Sequence, residues 1–257
     1  MERSAFRKRL LAGEVLTGGW CMIGDPYAAQ IMGAAGFDWL LVDMEHGPVP
    51  LGTAQAMLTA IRTTPAFPIV RPPWKDSASI QVGLDSGACG VLVPMVNTVE
   101  EARGVVADAR FEPLGERSRG GSRTALAFGT DSTDYFRHGN DWTVVLVQVE
   151  TIAAVESAAA IAALDGIDGL FVGPNDLAGS YRVPFPESWD DLSGPYAEAI
   201  ATIPKIARAH GKAAAILAND AAMGRRCVDM GYTVVGIAID AALLAAGARA
   251  EHVDFTG

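Results

Sequence analysis

Residues 144–176 read VVLVQVETIAAVESAAAIAALDGIDGLFVGPND, two short Val-rich apolar runs separated by an Ala-rich stretch. Continuous apolar runs of this length suit strands buried on both faces, the condition of a parallel sheet. Residues 151–163 between them have helical spacing and are long enough for the crossover that parallel strands require. The stretch is therefore a β–α–β unit. Each of its strands runs out into an acid, Glu150 after the first and Asp176 shortly after the second. Acids at the ends of parallel strands stand on the rim where barrel enzymes place their chemistry.

The alternation continues in both directions along the chain. Strands are predicted near residues 17–23, 38–43, 68–71, 90–93, 144–149, 169–172, 213–217 and 234–239, with helices over 26–35, 52–62, 77–86, 98–109, 151–163, 195–210, 219–230 and 240–248. Eight of each predict a closed (β/α)8 TIM barrel, α/β in class, formed by residues 1–257 as one domain. A doubly wound open sheet uses the same alternation, but its nucleotide-binding form needs a Gly-rich turn after the first strand, and CMIGDPYAAQ offers one glycine there. Residues 1–20 read as a short helix before the first strand. Residues 111–141 read as an irregular connection, too long for an ordinary loop. The last helix, around AALLAAGARA (241–250), is apolar on most of its surface, which predicts burial against a neighbouring subunit.

Half of the 257 residues are apolar and the net charge is −10. The basic residues are scattered, so no electrostatic footprint for nucleic acid is present and an anionic substrate needs a local positive site. No run reaches the roughly 20 apolar residues of a membrane span. The basic start is not followed by a sustained apolar segment, so it does not read as a signal peptide, and the expected location is cytoplasmic. Cys21, Cys89 and Cys227 are odd in number and set in apolar surroundings, which predicts reduced core thiols rather than a disulfide framework or zinc site.

The rim residues define the chemistry. Glu150 and Asp176 are hard oxygen ligands, and two carboxylates leave a divalent cation open positions for water and substrate, which suits magnesium or manganese. The plainer alternative is that each acid caps its following helix, and Asp176 is the better placed of the two for that. A third apolar run ends in Asp43, Glu45 and His46, and His46 is the one histidine of four on the predicted rim. It can carry a proton near neutral pH if Asp43 or Asp85 orients its ring. Arg71 stands between a strand and the rigid Pro72-Pro73 pair, aimed at the mouth, where its planar fork could bind a carboxylate bidentately. Of four lysines, Lys75 alone is on that side, in a loop, which favours metal-assisted over Schiff-base chemistry.

Taken in order, FDWLLVDMEHGP (37–48), PIVRPPW (68–74), GVLVPMVNTVEEAR (90–103), VLVQVET (145–151), DGLFVGPNDLAGS (168–180) and GKAAAILANDAAM (211–223) resemble the metal-dependent (class II) pyruvate aldolases of the HpcH/HpaI type, the family of 4-hydroxy-2-oxoheptanedioate aldolase. The resemblance implies a barrel of the phosphoenolpyruvate/pyruvate type, commonly a homohexamer, with the last helix packed on or swapped with a neighbouring barrel. It implies Glu150 and Asp176 as ligands of Mg2+, Mn2+ or Co2+, Arg71 as the pyruvate-binding arginine and His46 as the base. Asp43 and Asp85 match acids that accompany the histidine. Gln148 matches a polar residue beside the metal, and Gly173, Pro174, Asn175 and Asp176 form the substrate loop.

The implied reaction is reversible aldol addition of pyruvate, or a related 2-oxoacid such as hydroxypyruvate, to an aldehyde through an enolate. Small neighbours such as Gly47 and Gly173 would leave room for a C3 substituent. Residues 117–123, RSRGGSR, depart from the commonest family wording, so the resemblance implies nothing about the acceptor-aldehyde pocket. Two rivals remain: a citrate-lyase-β-like lyase, which would need a basic groove for the phosphates of coenzyme A, and a non-catalytic barrel used as a scaffold.

Overall fold

Alternate residues of a strand face opposite ways, and here that alternation builds two apolar layers. The computed structural model describes residues 2–120, 122–184 and 193–256. Its strands are β1 (Leu16–Cys21), β2 (Trp39–Asp43), β3 (Phe67–Arg71), β4 (Gly90–Val93), β5 (Val144–Val149), β6 (Gly169–Val172), β7 (Ala213–Leu217) and β8 (Val234–Ile239). All pair in parallel with their neighbours, and β8 pairs with β1, so the sheet closes into the expected eight-stranded barrel. Every strand lies within two residues of its predicted bounds.

Inside the barrel Trp39 and Leu41, Phe67 and Ile69, Val144 and Leu146, and Phe171 form one cluster with Trp20. The residues between them, Leu40, Val42, Val70, Val145, Val147, Leu170 and Val172, belong to a second cluster shared with the surrounding helices. Aromatic rings fill the interior: Trp20 meets Trp39 and Phe171 edge to face at 5.7 and 5.4 Å. Gly18 makes room for them, since a Cβ there would fall 2.1 Å from the Trp39 ring.

The helices, among the described residues, are α1 (Ala5–Leu11), α2 (Pro26–Ala34), α3 (Leu51–Ile61), α4 (Ser77–Asp85), α5 (Val99–Ala109), α6 (Ser122–Ala127), α7 (Ser132–Trp142), α8 (Ile152–Ala162), α9 (Pro174–Ser180), α10 (Gly194–Ala209), α11 (Ala221–Asp229) and α12 (Asp240–Thr256). Four of these depart from the sequence reading. The segment read as irregular holds α6 and α7. Gly139 lets α7 lie against Phe111, where a Cβ would come within 2.9 Å of the ring. The short α9 follows β6 directly, started by Pro174 at its first position. The last helix runs to Thr256, not 248, and every residue after Asp240 is exposed. The three cysteines are buried and free, as expected.

Candidate active site

The inward-facing positions of β2, β3 and β5 are apolar at the bottom and turn polar at the C-terminal end: Trp39, Leu41, then Asp43; Phe67, Ile69, then Arg71; Val144, Leu146, then Gln148 and Glu150. Register brings the first two together, because Asp43 and Arg71 are direct partners across β2 and β3. Arg71 donates to both oxygens of the fully buried Asp43, Nε to Oδ1 at 2.9 Å and Nη2 to Oδ2 at 2.6 Å. Its Nη1 lies 3.1 Å from Glu45 Oε2 and donates weakly to Gln148 Oε1 at 3.4 Å. Burial works against the guanidinium charge, but the bonds and attraction of Asp43, then Glu45 and Glu150, outweigh it and hold Arg71 above its ordinary value.

The fork of Arg71 is thus occupied by Asp43, which corrects the expectation of a bidentate clamp on substrate. Nη1 is the one guanidinium nitrogen that makes no bond to Asp43. Asp43 Oδ1 also accepts from the backbone N–H of Glu45 and His46, at 3.1 and 3.3 Å, and so shapes the turn that carries them. Gly47 completes that turn, since a Cβ would sit 2.5 Å from Asp43 O. It serves the turn and gives no room to a substrate. His46 is on the rim, its side chain 58% exposed and its Nε2 3.8 Å from Glu45 Oε2.

Glu150 is buried and held at both oxygens. Met95 N–H donates to Oε1 and the Gln148 amide to Oε2, each at 2.6 Å. Burial, opposed by the Met95 bond and reinforced by Asp176 and Glu45, pushes its carboxyl up to about 7. Glu45 is also raised, chiefly by burial, and its Oε2 is a buried oxygen with no hydrogen bond among the described residues. Neither rim acid is a helix cap. Thr151, not Glu150, caps α8, and Asp176 sits in the first turn of α9 without a capping bond.

Beside these groups lies a cavity of about 230 Å³. His46, Arg71, Gln148, Gly173, Pro174, Asn175 and Asp176 line its polar side, and Trp20, Met22, Phe171, Leu217 and Ile239 its apolar side. Gly173 is needed there, since a Cβ would come 2.7 Å from Glu150 Oε2 and 3.0 Å from Gln148 Nε2. Asp85 is not brought to this mouth within the chain. A helix after a parallel strand runs back toward the strands' starts, so Asp85, the last residue of α4, lies at the opposite end, bound by Arg117 Nη2 at 2.6 Å.

The sequence reading gave no role to Glu45 beside Arg71, to the Met95 amide or to the apolar wall. The period-two alternation of the strands was the available signal for Trp20 and Phe171. A backbone donor such as Met95 leaves none.

The model of the HpcH/HpaI aldolase/citrate lyase family matches residues 17–246. A 4-hydroxy-2-oxo-heptane-1,7-dioate aldolase of Salmonella typhi is 38% identical over 253 residues, 98% of this chain and 95% of that protein. The crystal structure of a protein of the HpcH/HpaI aldolase/citrate lyase family from Burkholderia cenocepacia superposes with a TM-score of 0.88 at 33% identity, covering 99% of this chain and all of the other. A more distant likeness, in fold alone, is the citrate lyase β subunit of M. tuberculosis complexed with oxaloacetate and magnesium, with a TM-score of 0.60 at 20% identity over 89% and 93% of the two chains.

Proposed function

Because the chain belongs to the HpcH/HpaI aldolase/citrate lyase family, and is a carbon–carbon lyase of the aldolase kind, we propose that it joins pyruvate or a related 2-oxoacid to an aldehyde, reversibly, giving a 4-hydroxy-2-oxoacid. The observation that carries this reading is the meeting of Arg71 and Asp176 at one small cavity at the strand ends, with the buried Glu150 behind Gln148 and Gly173 and close enough to feel both charges.

The residues fit a divalent cation. Asp43, Glu45 and Glu150 act on the Arg71 guanidinium, Asp176 adds its charge to that of Glu150, Glu150 resists ionisation, and Gly173 leaves open the space beside its carboxylate. Among the described residues no group of three or more His, Cys, Asp or Glu forms a cage. A site of two carboxylates, Glu150 and Asp176, suits Mg2+, Mn2+ or Co2+ sharing its coordination with water and substrate. When bound, the cation would act as a Lewis acid on the 2-oxo group and a template for its orientation.

The chain's own groups do the rest. The first-turn N–H groups of α9 have no partner within the helix and face the substrate carboxylate. Arg71 Nη1, free of Asp43, holds the oxygen on which enolate charge develops. His46 takes the C3 proton, directly or through a water, and the C–H electron pair becomes the C2–C3 double bond. That carbon then attacks the aldehyde, and the new alkoxide takes up a proton. In the cleavage direction the 4-hydroxyl gives its proton up, the C3–C4 bond breaks and His46 returns a proton to C3. Trp20, Phe171 and Leu217 exclude water from one side.

Among the described residues the coenzyme A reading finds no basic groove at this mouth. In RSRGGSR, Arg117 binds Asp85 and Tyr135, and Arg119 binds Glu112, at the other end of the barrel. The assembly we propose is a homo-oligomer in which α12 covers a neighbouring barrel. Proton exchange at pyruvate C3 in deuterated water, followed by NMR, tests the reaction. Exchange should need Mg2+ or Mn2+ and vanish with chelator, and exchange that survives thorough metal removal would overturn the roles given to Glu150 and Asp176.

A further inference from the structure

Lys75 is the one lysine on the catalytic side of the barrel, and its Nζ donates to Met95 O at 2.7 Å and pairs with Glu101. Met95 is one of few non-glycine residues with positive φ, at 56°. An unbranched side chain tolerates this left-handed conformation only at a cost, and it persists where the surroundings over-determine it. Here they do so from both sides: the Met95 N–H donates to Glu150 Oε1 and its C=O accepts from Lys75.

The contacts continue into a closed circuit. Glu101 Oε2 accepts from the Asn97 N–H at 2.7 Å, Asn97 Oδ1 accepts from the Thr151 hydroxyl, and Thr151 follows Glu150 in the chain and caps α8. The connections after β3, β4 and β5 are thereby tied to one another around a single carboxylate.

We infer that Lys75 is a positioning residue for Glu150, acting through the backbone of Met95. This rests on the reading of Glu150 as a metal ligand. Without the ammonium, Met95 O loses its partner, the residue relaxes out of the left-handed region, and its N–H leaves Glu150 Oε1. The carboxylate then keeps only the Gln148 amide and no longer presents a fixed pair of oxygens. Losing a partner one layer behind a ligand typically weakens metal binding about 10- to 100-fold. The same contacts explain why Lys75 is no Schiff-base nucleophile, since its nitrogen is engaged away from the cavity.

The test is titration of metal-free protein with Mn2+, reading free Mn2+ by electron paramagnetic resonance. Lys75→Met should raise the dissociation constant about 10-fold. Lys75→Gln, too short to reach Met95 O, carries the same expectation should Lys75→Met fail to fold. Lys75→Arg should restore affinity to within about threefold, because a donor and a charge are kept. Asp76→Ala removes the adjacent α4 cap, so it loosens the loop without touching Met95, and should leave affinity unchanged. Wild-type affinity in Lys75→Met or Lys75→Gln, or equal weakening in Asp76→Ala, overturns the positioning role while the metal site stands. A wild-type protein that binds no Mn2+ overturns the metal site and this inference together.

Discussion

Arg71 gives its Nε and Nη2 to Asp43, its direct partner across β2 and β3, and keeps Nη1 for other groups. Its rim position was legible from the strand end and the prolines, but the strand register that hands its fork to Asp43 was not. Arg71→Ala would therefore strand a fully buried carboxylate and destabilise the fold by about 3–5 kcal/mol, masking any catalytic effect. Arg71→Lys keeps a cation beside Asp43 and gives up the second N–H. Its turnover should fall about 100-fold, roughly 3 kcal/mol by analogy with losing one oxyanion donor, with a much smaller shift in the urea midpoint than the alanine variant. Turnover within a few-fold of wild type would detach Arg71 from the reacting oxygen. Glu150 gives a prediction in pH. An unfolded glutamate ionises near 4.5, whereas the folded carboxyl keeps its proton to about 7. The stability this group contributes is thus fully present below pH 4.5 and is lost as pH rises to 7, by about 3 kcal/mol for a shift of this size. Urea melts of chelator-treated protein at pH 5 and pH 8 should show that loss. Glu150→Gln should flatten the profile, and added Mn2+ should recover stability at pH 8. A metal-free protein as stable at pH 8 as at pH 5, once compared with Glu150→Gln, would mean that Glu150 is ionised without a cation.

At the scale of elements, strands and crossover helices were legible because period two and period 3.6 are written directly into the residues, and both layers of the barrel follow from them. What sequence periodicity did not give was α6, α7 and α9, two of which lie at glycines that allow close approach. Gly139 does this for α7 against Phe111, and Gly173 at the β6–α9 junction does it for the site. Gly173 has φ −94° and ψ 91°, a conformation open to alanine, so its requirement is one of space. In Gly173→Ala the new methyl group meets Glu150 Oε2 at 2.7 Å. Moving the carboxylate aside loosens its bonds to the Met95 N–H and the Gln148 amide, so stability should fall by about 1–3 kcal/mol, and its two oxygens no longer point where the strand end aims them. Calorimetric titration of the metal-free variant with Mn2+ should show affinity down about 10-fold. Undiminished affinity would place the cation elsewhere than beside Glu150 and Asp176.

For the whole molecule, α12 is the element that a single barrel leaves unresolved. Asp240 anchors its start, accepting from the N–H groups of Met22, Ile23 and Ala241, and so ties the helix to the end of β1. Beyond that anchor Leu243, Leu244, Val253 and Phe255 are exposed, Phe255 at 91%. In a (β/α)8 barrel the final helix ordinarily covers β8 and β1. That flank here holds an open, largely apolar groove of about 420 Å³ between α11 and the strands, lined by Val15, Gly224, Val228, Val235 and Ile237 together with Thr17, Arg225 and Asp229. An uncovered apolar helix and an uncovered apolar flank on one chain are complementary, and a helix exchanged between two copies satisfies both through a closed two-fold contact. Each leucine or phenylalanine so buried contributes about 2 kcal/mol, and a two-fold exchange buries Leu243, Leu244 and Phe255 of both copies, about 12 kcal/mol in favour of the pair before the cost of association. Light scattering after size exclusion should therefore give wild-type protein a mass of at least two chains. Leu244→Asp, which places a charge in the buried contact, should shift it toward the monomer. A monomeric wild type, or an assembly that Leu243→Asp and Leu244→Asp both leave intact, would show that α12 does not carry the contact.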